Sequence, residues 1–340
     1  MRLPALLAFV LVSPAFAAEP LAKLAPGSVP RACAWPPVPS ADGETLAVRV
    51  TVGFDLVNLT TGKVVTLRDD TKKLILPERT TRDTGDTSFA FMPGGKTVVT
   101  ANHDTDVSVW DAATGKHLRD VPMPSRDNPT AIGKLDKFHV AQTAVGSAAK
   151  KGVLLFGSGA HVLAADDTIA ELDDFYLKGA LSQWSTDGRW VGAYETQASV
   201  EHFFAVGDVR NPAKCYGGAV EYNQYIRAVR PSDDGKFMGV VYVSTVAKDN
   251  GVRLWTMAGK AVPLADATEM FGNAAAVGFS ADSKRLFSTA GKVIAAWDTA
   301  TGKRLPDVKL PAADGTVTFD VPRDRALVTT KDGVWAVDLK

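Results

Sequence analysis

One motif returns along this 340-residue chain and constrains the fold more than any single residue does. Phe91 to Leu118 reads FMPGGKTVVTANHDTDVSVWDAATGKHL, and Phe279 to Leu305 reads FSADSKRLFSTAGKVIAAWDTATGKRL. Val229 to Val262 reads VRPSDDGKFMGVVYVSTVAKDNGVRLWTMAGKAV. Each stretch follows the same order. An apolar strand ends at Pro or Ser, and a turn built on Asp, Gly or Ser before Lys follows it. Two alternating strands come next, the second ending in Trp. A Thr/Ala-Gly-Lys turn then leads into a fourth strand. Val98, Thr100, Val107 and Val109 alternate as strand residues do. Asp-Gly and Gly-Lys supply the positive-φ positions that tight hairpins need.

Weaker copies keep the phase. Pro39 to Gly43 leads to Asp55-Leu56-Val57-Asn58 and Thr61-Gly62-Lys63. Ser185 to Arg189 leads to Val206-Gly207-Asp208, and Pro322 to Arg325 leads to Trp335-Ala336-Val337-Asp338. A degenerate copy takes Leu135-Asp136-Lys137 as its turn and Gly152 to Phe156 as its third strand. First-hairpin turns then fall near residues 42, 94, 136, 187, 234, 282 and 324, a spacing of roughly 40 to 53 residues. The count is seven four-stranded units, and no stretch carries a helical period. The seven Trp residues sit mostly at strand ends, where they would fill the wedges between neighbouring units.

The Trp-Asp-x-Ala-Thr-Gly-Lys element at Trp110 and Trp297 resembles the end of the third strand in WD40 propeller repeats. The Asp106 to Lys116 segment is equally similar to YVTN-type and cytochrome-d1-like exported propeller repeats. The resemblance implies an all-β fold: a seven-bladed β-propeller of four-stranded blades. The sequence departs from the strict WD40 pattern, because no Gly-His dipeptide occurs. Asp104 matches the second-turn Asp of that pattern, but its counterpart near the C-terminus is Gly291. The last blade ends at its third strand, Gly333 to Leu339. Leu21 to Leu24 is placed to supply the missing outer strand and close the ring, as WD40-like rings commonly do.

The N-terminus reads as a secretory signal over residues 1–17, followed by a single propeller domain over 18–340. Arg2 is the charged start, Leu6 to Val12 the short apolar core, and Ala15-Phe16-Ala17 the small-x-small cleavage site. The apolar core is too short to span a bilayer, which needs roughly 20 residues. The expected location is periplasmic or secreted. Cys33 falls on the innermost strand of the first blade and Cys215 at the outer edge of the fourth, so no disulfide is expected between them. Basic and acidic residues balance at 38 each, with no basic stripe of the kind nucleic-acid binding requires.

No Cys-x-x-Cys-His, His-Glu-x-x-His or paired-cysteine spacing occurs, so neither a cofactor nor a metal is expected. Gly94-Gly95-Lys96-Thr97 imitates a phosphate loop but leads into a strand and reads as a hairpin turn. Asp104 to Ser108 starts like a calcium loop, yet Val109 stands where the sixth-place glycine belongs. The carboxylates Asp166, Asp167, Glu171, Asp173 and Asp174 read as a solvated loop. Gly157-Ser158-Gly159 lacks the spacing of a nucleophile elbow. Asn58-Leu59-Thr60 is a glycosylation sequon.

The candidate binding residues are His103, Asp104, Tyr222, Tyr225 and Arg227, all expected on the upper rim around the channel mouth. His103 and Asp104 lie in a second-hairpin turn, and the two tyrosines and Arg227 lead into the fifth blade. Tyr and Arg are favoured at interaction hot spots. The expectation is a protein- or peptide-binding scaffold, with no catalytic residue assigned. The alternative is a propeller enzyme or enzyme subunit, a lactonase-like hydrolase or a dehydrogenase chain, with its site at the channel mouth.

Overall fold

The computed structural model describes residues 21–22, 37–40, 42–49, 54–67, 88–92, 94–101, 106–122, 139–146, 151–156, 160–164, 166–172, 180–186, 189–195, 202–208, 211–220, 224–244, 251–267, 276–311, 315–330 and 332–340. These form seven antiparallel sheets, each built from strands consecutive in sequence. Sheet 1 holds β1 (Val38–Pro39), β2 (Thr45–Arg49), β3 (Phe54–Asn58) and β4 (Val64–Thr66). Sheet 2 holds β5 (Ser88–Phe91), β6 (Thr97–Ala101), β7 (Asp106–Asp111) and β8 (His117–Pro122). Sheet 3 holds β9 (His139–Gly146), β10 (Lys151–Phe156), β11 (Ala160–Ala164) and β12 (Ile169–Leu172). Sheet 4 holds β13 (Ala180–Trp184), β14 (Trp190–Glu195), β15 (His202–Asp208) and β16 (Asn211–Val220). Sheet 5 holds β17 (Gln224–Pro231), β18 (Phe237–Ser244), β19 (Gly251–Thr256) and β20 (Ala261–Val262). Sheet 6 holds β21 (Val277–Phe279), β22 (Arg285–Ala290), β23 (Val293–Asp298) and β24 (Arg304–Lys309). Sheet 7 has three strands, β25 (Thr316–Asp320), β26 (Arg325–Thr330) and β27 (Gly333–Asp338).

The third sheet corrects the repeat phase. Gly152 to Phe156 belongs to β10, the second strand of its sheet, and β11 is the third. The first hairpin therefore joins β9 to β10, after residue 146, and does not lie at Asp136. The other six first-hairpin turns fall where the repeat places them. The signal segment, Cys33, His103, Asp104 and Tyr222 lie outside the described residues.

Alternation along the strands explains how the sheets stack. Val98 packs with Phe91 and Trp110 against Val38, Phe54 and Leu56 of sheet 1. Its neighbour Val99 faces the other way, packing with Ala90, Val107 and Val109 against Leu163 of sheet 3. In sheet 6, Leu286 and Trp297 turn to sheet 5, while Phe287 and Ala296 turn to sheet 7. In sheet 1, Leu46 and Val48 pack with Leu327 and Val334 of sheet 7. Both faces are covered, so second and third strands read as nearly continuous apolar runs. β9 lies beside β13, and a cluster built on Phe204, Ile226 and Met238 joins sheets 4 and 5. Each sheet thus meets the next, and the seventh meets the first.

The Thr-Gly-Lys turns have a definite chemistry. Asp111 Oδ1 accepts from the backbone N–H and hydroxyl of Thr114, at 2.8 and 2.7 Å. Asp298 does the same with Thr301, and Asn58 with Thr61. The glycine that follows satisfies two demands. Gly115 has φ +71°, and a Cβ there would lie 2.4 Å from the Thr66 carbonyl of the preceding sheet. Gly302 has φ +70°, and its Cβ would lie 1.8 Å from the Pro263 carbonyl, just beyond β20. Gly62 makes the equivalent approach to the Leu21 carbonyl, at 3.3 Å. Leu21 and Ala22 run along β27. The Leu21 N–H donates to Val334 O at 2.7 Å and the Val334 N–H to Ala22 O at 2.9 Å.

The Thr114 hydroxyl holds the Asp111 carboxyl below its ordinary pKa, and the Thr301 and Ser280 hydroxyls do the same for Asp298 and Asp282. A depressed folded-state pKa gives stability that is complete above the unfolded value. That stability is lost as pH falls through the folded value. Thermal scans should therefore be flat from pH 7 to about 5 as far as these groups act, then fall below about pH 4. The effect is modest because the carboxylates are exposed. The double variant Asp111→Asn, Asp298→Asn keeps both acceptors, as Asn58 does naturally. It should flatten the acid limb and leave Tm at pH 7 nearly unchanged. An unaltered acid limb would remove these turns from the account.

Candidate functional site

β17 stands at one margin of sheet 5, in the order β17-β18-β19-β20, and it packs against β13, β14 and β21 of the flanking sheets. Its register slips once. Ile226 pairs with Tyr242 and Ala228 with Val241, so Arg227 is the extra residue of a β-bulge. Bulges re-aim side chains and are common beside binding sites. Strict alternation would turn Arg227 away from Ile226, toward sheet 6. The bulge breaks that alternation: Ile226 and Val229 both face sheet 4, packing with Phe204 and Trp190, while Ala228 faces sheet 6.

Tyr194 of β14 packs against the same cluster. Burial raises the pKa of its phenol, and the charge of Arg227 pulls it partly back. The guanidinium therefore lies within electrostatic reach of the hydroxyl. Arg227 is exposed and Tyr225 half-buried, while Gln224 at the start of the strand is fully buried. Tyr225 pairs with Val243. Of the five residues expected at the rim, the structure thus places Tyr225 and Arg227 two apart on one strand.

The other arginines clarify what is unusual here. Arg119 forks onto Asp167 between sheets 2 and 3, and Arg189 onto Asp208 within sheet 4. Arg304 meets Asp307, and Arg323 and Arg325 share Asp320. Among the described residues, no carboxylate forms an ion pair with Arg227. Arg230, three positions on, is half-buried, but its Nε is sealed without a hydrogen-bond acceptor. Burial lowers its pKa, and Asp233 opposes that shift. The Asp233 carboxylate itself accepts the Thr186 N–H at 2.7 Å. Sequence reasoning missed Tyr194 and Arg230. The only signal available was the Arg-x-x-Arg spacing on an apolar strand.

The remaining chemistry-bearing residues are engaged in structure. Asp166 caps its own turn through Thr168, and Asp167 belongs to the inter-sheet pair with Arg119. His117 Nε2 bonds Asp120 at 2.9 Å and sits edge-on to Trp110. The Trp110 indole N–H donates to Thr100 Oγ1 at 2.8 Å, within the core. Gly94 and Gly95 form the β5–β6 hairpin, with the Gly95 N–H donating to Met92 O. Cys215 is a free, exposed thiol on β16, its pKa raised by partial burial. Among the described residues, no group of three or more His, Cys, Asp or Glu could hold a metal. No helix among them is long and apolar enough to cross a membrane. Arg227 is thus the exposed cation of this margin strand, while Arg230 is held within the sheet near Asp233.

No protein-family model and no curated protein sequence matches the chain. Solved structures do. A chain of Kuenenia stuttgartiensis hydrazine synthase superposes with TM-score 0.60 at 14% identity, covering 91% of this chain and 97% of that one. The β-propeller domain of Myceliophteria thermophila Cps50 (Swd1) superposes with TM-score 0.54 at 15% identity, covering 93% and 98%. With the run of four-stranded antiparallel sheets, these similarities show a β-propeller fold of WD40-like kind.

Proposed function

We propose that the seven sheets are the blades of one ring, closed by the N-terminal segment, and that the ring is an exported scaffold for a protein or peptide. Closure is supported by a repeated contact. Gly115 and Gly302 each meet the backbone of the outermost strand, or its end, in the preceding sheet; Gly62 meets Leu21 and Ala22 in that position beside sheet 7. In such a ring β17 is an innermost strand and Arg227 faces the channel.

Exposed Arg227, the extra residue of a bulge and without an ion-pair partner among the described residues, carries the binding reading. Most other charged groups of the described residues brace turns or join blades. Balanced charge argues against nucleic acid as the partner. Tyr222, His103 and Asp104 belong by sequence to the same rim. The signal-like segment over residues 1–17 supports export, with a mature N-terminus beginning near Ala18.

The test is affinity capture from the host envelope with the mature chain and with a Tyr225→Ala, Arg227→Ala variant. A partner held by the wild type and lost from the variant is expected. Identical capture by both proteins, or a chain retained whole in the cytoplasm, would overturn the reading. Catalysis as a lactonase-like hydrolase or dehydrogenase chain is the competing outcome. It would show as turnover in a lactone or dye-reduction assay that metal loading enhances.

A further inference from the structure

We propose that Asn58 Nδ2 is the acceptor of an N-linked glycan on the exported chain. The inference rests on the export reading, because the sugar donor, a lipid-pyrophosphate-linked oligosaccharide, is met outside the cytoplasm.

The repeat supplies its own control. Asn58 closes the turn after β3, as Asp111 and Asp298 close the turns after β7 and β23. Its Oδ1 accepts the Thr60 N–H at 3.1 Å, the Thr61 N–H at 2.7 Å and the Thr61 hydroxyl at 2.8 Å. Asp111 Oδ1 takes the matching three bonds from Ala113 and Thr114. An ionised acceptor makes the stronger hydrogen bond. The turn itself therefore favours Asp. The amide at 58 departs from that preference with no compensating bond, since its Nδ2 donates to nothing among the described residues.

Thr60 is the second departure. Ala113 and Ala300 stand at the equivalent places, and the capping hydroxyl belongs to the next residue, Thr61. Thr60 is exposed, and its hydroxyl makes no hydrogen bond among the described residues. An amide in place of a carboxylate, and a hydroxyl-bearing side chain in place of a methyl, are the two groups a glycan acceptor requires at its first and third positions. Leu59 between them is not proline. Asn128-Pro129-Thr130 is closed to transfer by its proline, so Asn58 is the single acceptor the sequence offers.

The folded turn accommodates the product. Asn58 is half-buried, yet its Nδ2 is not sealed from water. Transfer joins Nδ2 to C1 of the first sugar. The C1–O bond to the lipid pyrophosphate breaks, the pyrophosphate leaves with that electron pair, and the amide gives up one proton. Oδ1 keeps its lone pairs, so the three turn bonds survive. The acceptor has to be open when a transferase takes it. In the folded chain Leu59 is buried and its N–H donates to Glu44 O at 2.7 Å. The glycan is therefore added before the first sheet closes.

The experiment expresses the full chain with its own leader in a eukaryotic secretory host and measures the intact mass of the secreted protein. Most wild-type molecules should carry one oligosaccharide that peptide N-glycosidase removes. Asn58→Asp and Thr60→Ala should carry none, and Thr60→Ser should keep part. Both ablating variants copy residues found at the equivalent turns, so their Tm should stay within a degree or two of the stripped wild type. The glycosylated chain should melt no lower than the stripped one, because Nδ2 faces water. A secreted, leader-free wild type without sugar, a glycan that survives Asn58→Asp, or a glycosylated chain that melts several degrees lower would each overturn the site. Retention inside the cell with the leader attached would instead overturn the export reading. The chain fused behind an established leader then tests the acceptor on its own.

Discussion

Replacing Trp297 by alanine is expected to cost about 3–5 kcal/mol of stability, the range for emptying a buried aromatic position. The indole is completely buried between sheets 5 and 6, with Leu254, Phe279 and Leu286 around it. Its N–H donates to Ala265 O at 2.7 Å, and the Arg304 guanidinium lies 4.5 Å from the ring centroid. Ala265 is in turn held by its own N–H to Gly302 O at 2.9 Å. One side chain thus fills the wedge and ties down the segment that links two sheets. Trp297→Phe keeps most of the volume but leaves the Ala265 carbonyl without its donor, at a cost of about 1–3 kcal/mol. Trp335→Ala is the internal comparison, since Trp335 is only half-buried against the core of sheets 6 and 7. Urea unfolding followed by circular dichroism should rank the variants Trp297→Ala, then Trp297→Phe, then Trp335→Ala. Equal midpoints for Trp297→Ala and wild type would remove inter-sheet wedging as a source of stability.

Asp320→Ala should be nearly as damaging, for an electrostatic reason. The carboxylate is 1% exposed and accepts from Arg323 Nη1 at 3.1 Å and Arg325 Nε at 2.7 Å. Arg325 Nη2 continues to the Gly43 carbonyl of sheet 1 at 2.9 Å, and Arg323 lies against Gly43 itself. Removing one member of a buried pair costs about 3–5 kcal/mol when the other charge cannot reach water. Both arginines keep some exposure, so the expected loss is at the lower end, about 2–3 kcal/mol. Asp320→Asn should recover only part of it, because the amide has one acceptor oxygen for two guanidinium groups. Because this knot joins sheet 7 to sheet 1, hydrogen exchange should speed up at both β2 and β26. Exchange changing in β26 alone would mean that the two sheets are not mechanically joined.

Sheets 2 and 6 are legible in the sequence because their turn chemistry is explicit. Asp111 and Asp298, with the Thr and Gly that follow, are the atoms that close those hairpins. Sheet 3 is misphased for the converse reason. Its second and third strands are both apolar runs, since stacked sheets bury both faces. Only turn residues tell one strand from the next, and the Ser-Ala-Ala-Lys stretch before β10 carries no Asp, Asn or Trp marker. The role of Gly115 and Gly302 was half visible: a positive φ can be read from a turn, but a neighbouring sheet's carbonyl at the Cβ position cannot. The site divides in the same way. Arg227 and Tyr225 stand out as polar residues on an apolar strand. The bulge at Arg227, and the packing of Tyr194 from another sheet against the cluster of Ile226 and Val229, depend on pairing register and packing, which leave no mark in local sequence.

Closure of the ring is the claim on which the channel and the rim both depend. Ala22 and Val334 are directly opposite across an antiparallel bridge, and both are buried. Opposed positions of that kind have Cα separations of about 4.5–5.5 Å, within the span a disulfide needs. The decisive measurement introduces Ala22→Cys and Val334→Cys into a chain whose Cys33 and Cys215 are replaced by serine, then compares oxidised and reduced protein by peptide mapping and thermal unfolding. The account predicts near-complete formation of the 22–334 cross-link within the monomer and a Tm several degrees higher when oxidised. That gain corresponds to about 2–4 kcal/mol for bridging so long a loop. Cysteines that stay reduced under mild oxidation, or that pair only between molecules, would contradict a ring closed by its N-terminal segment.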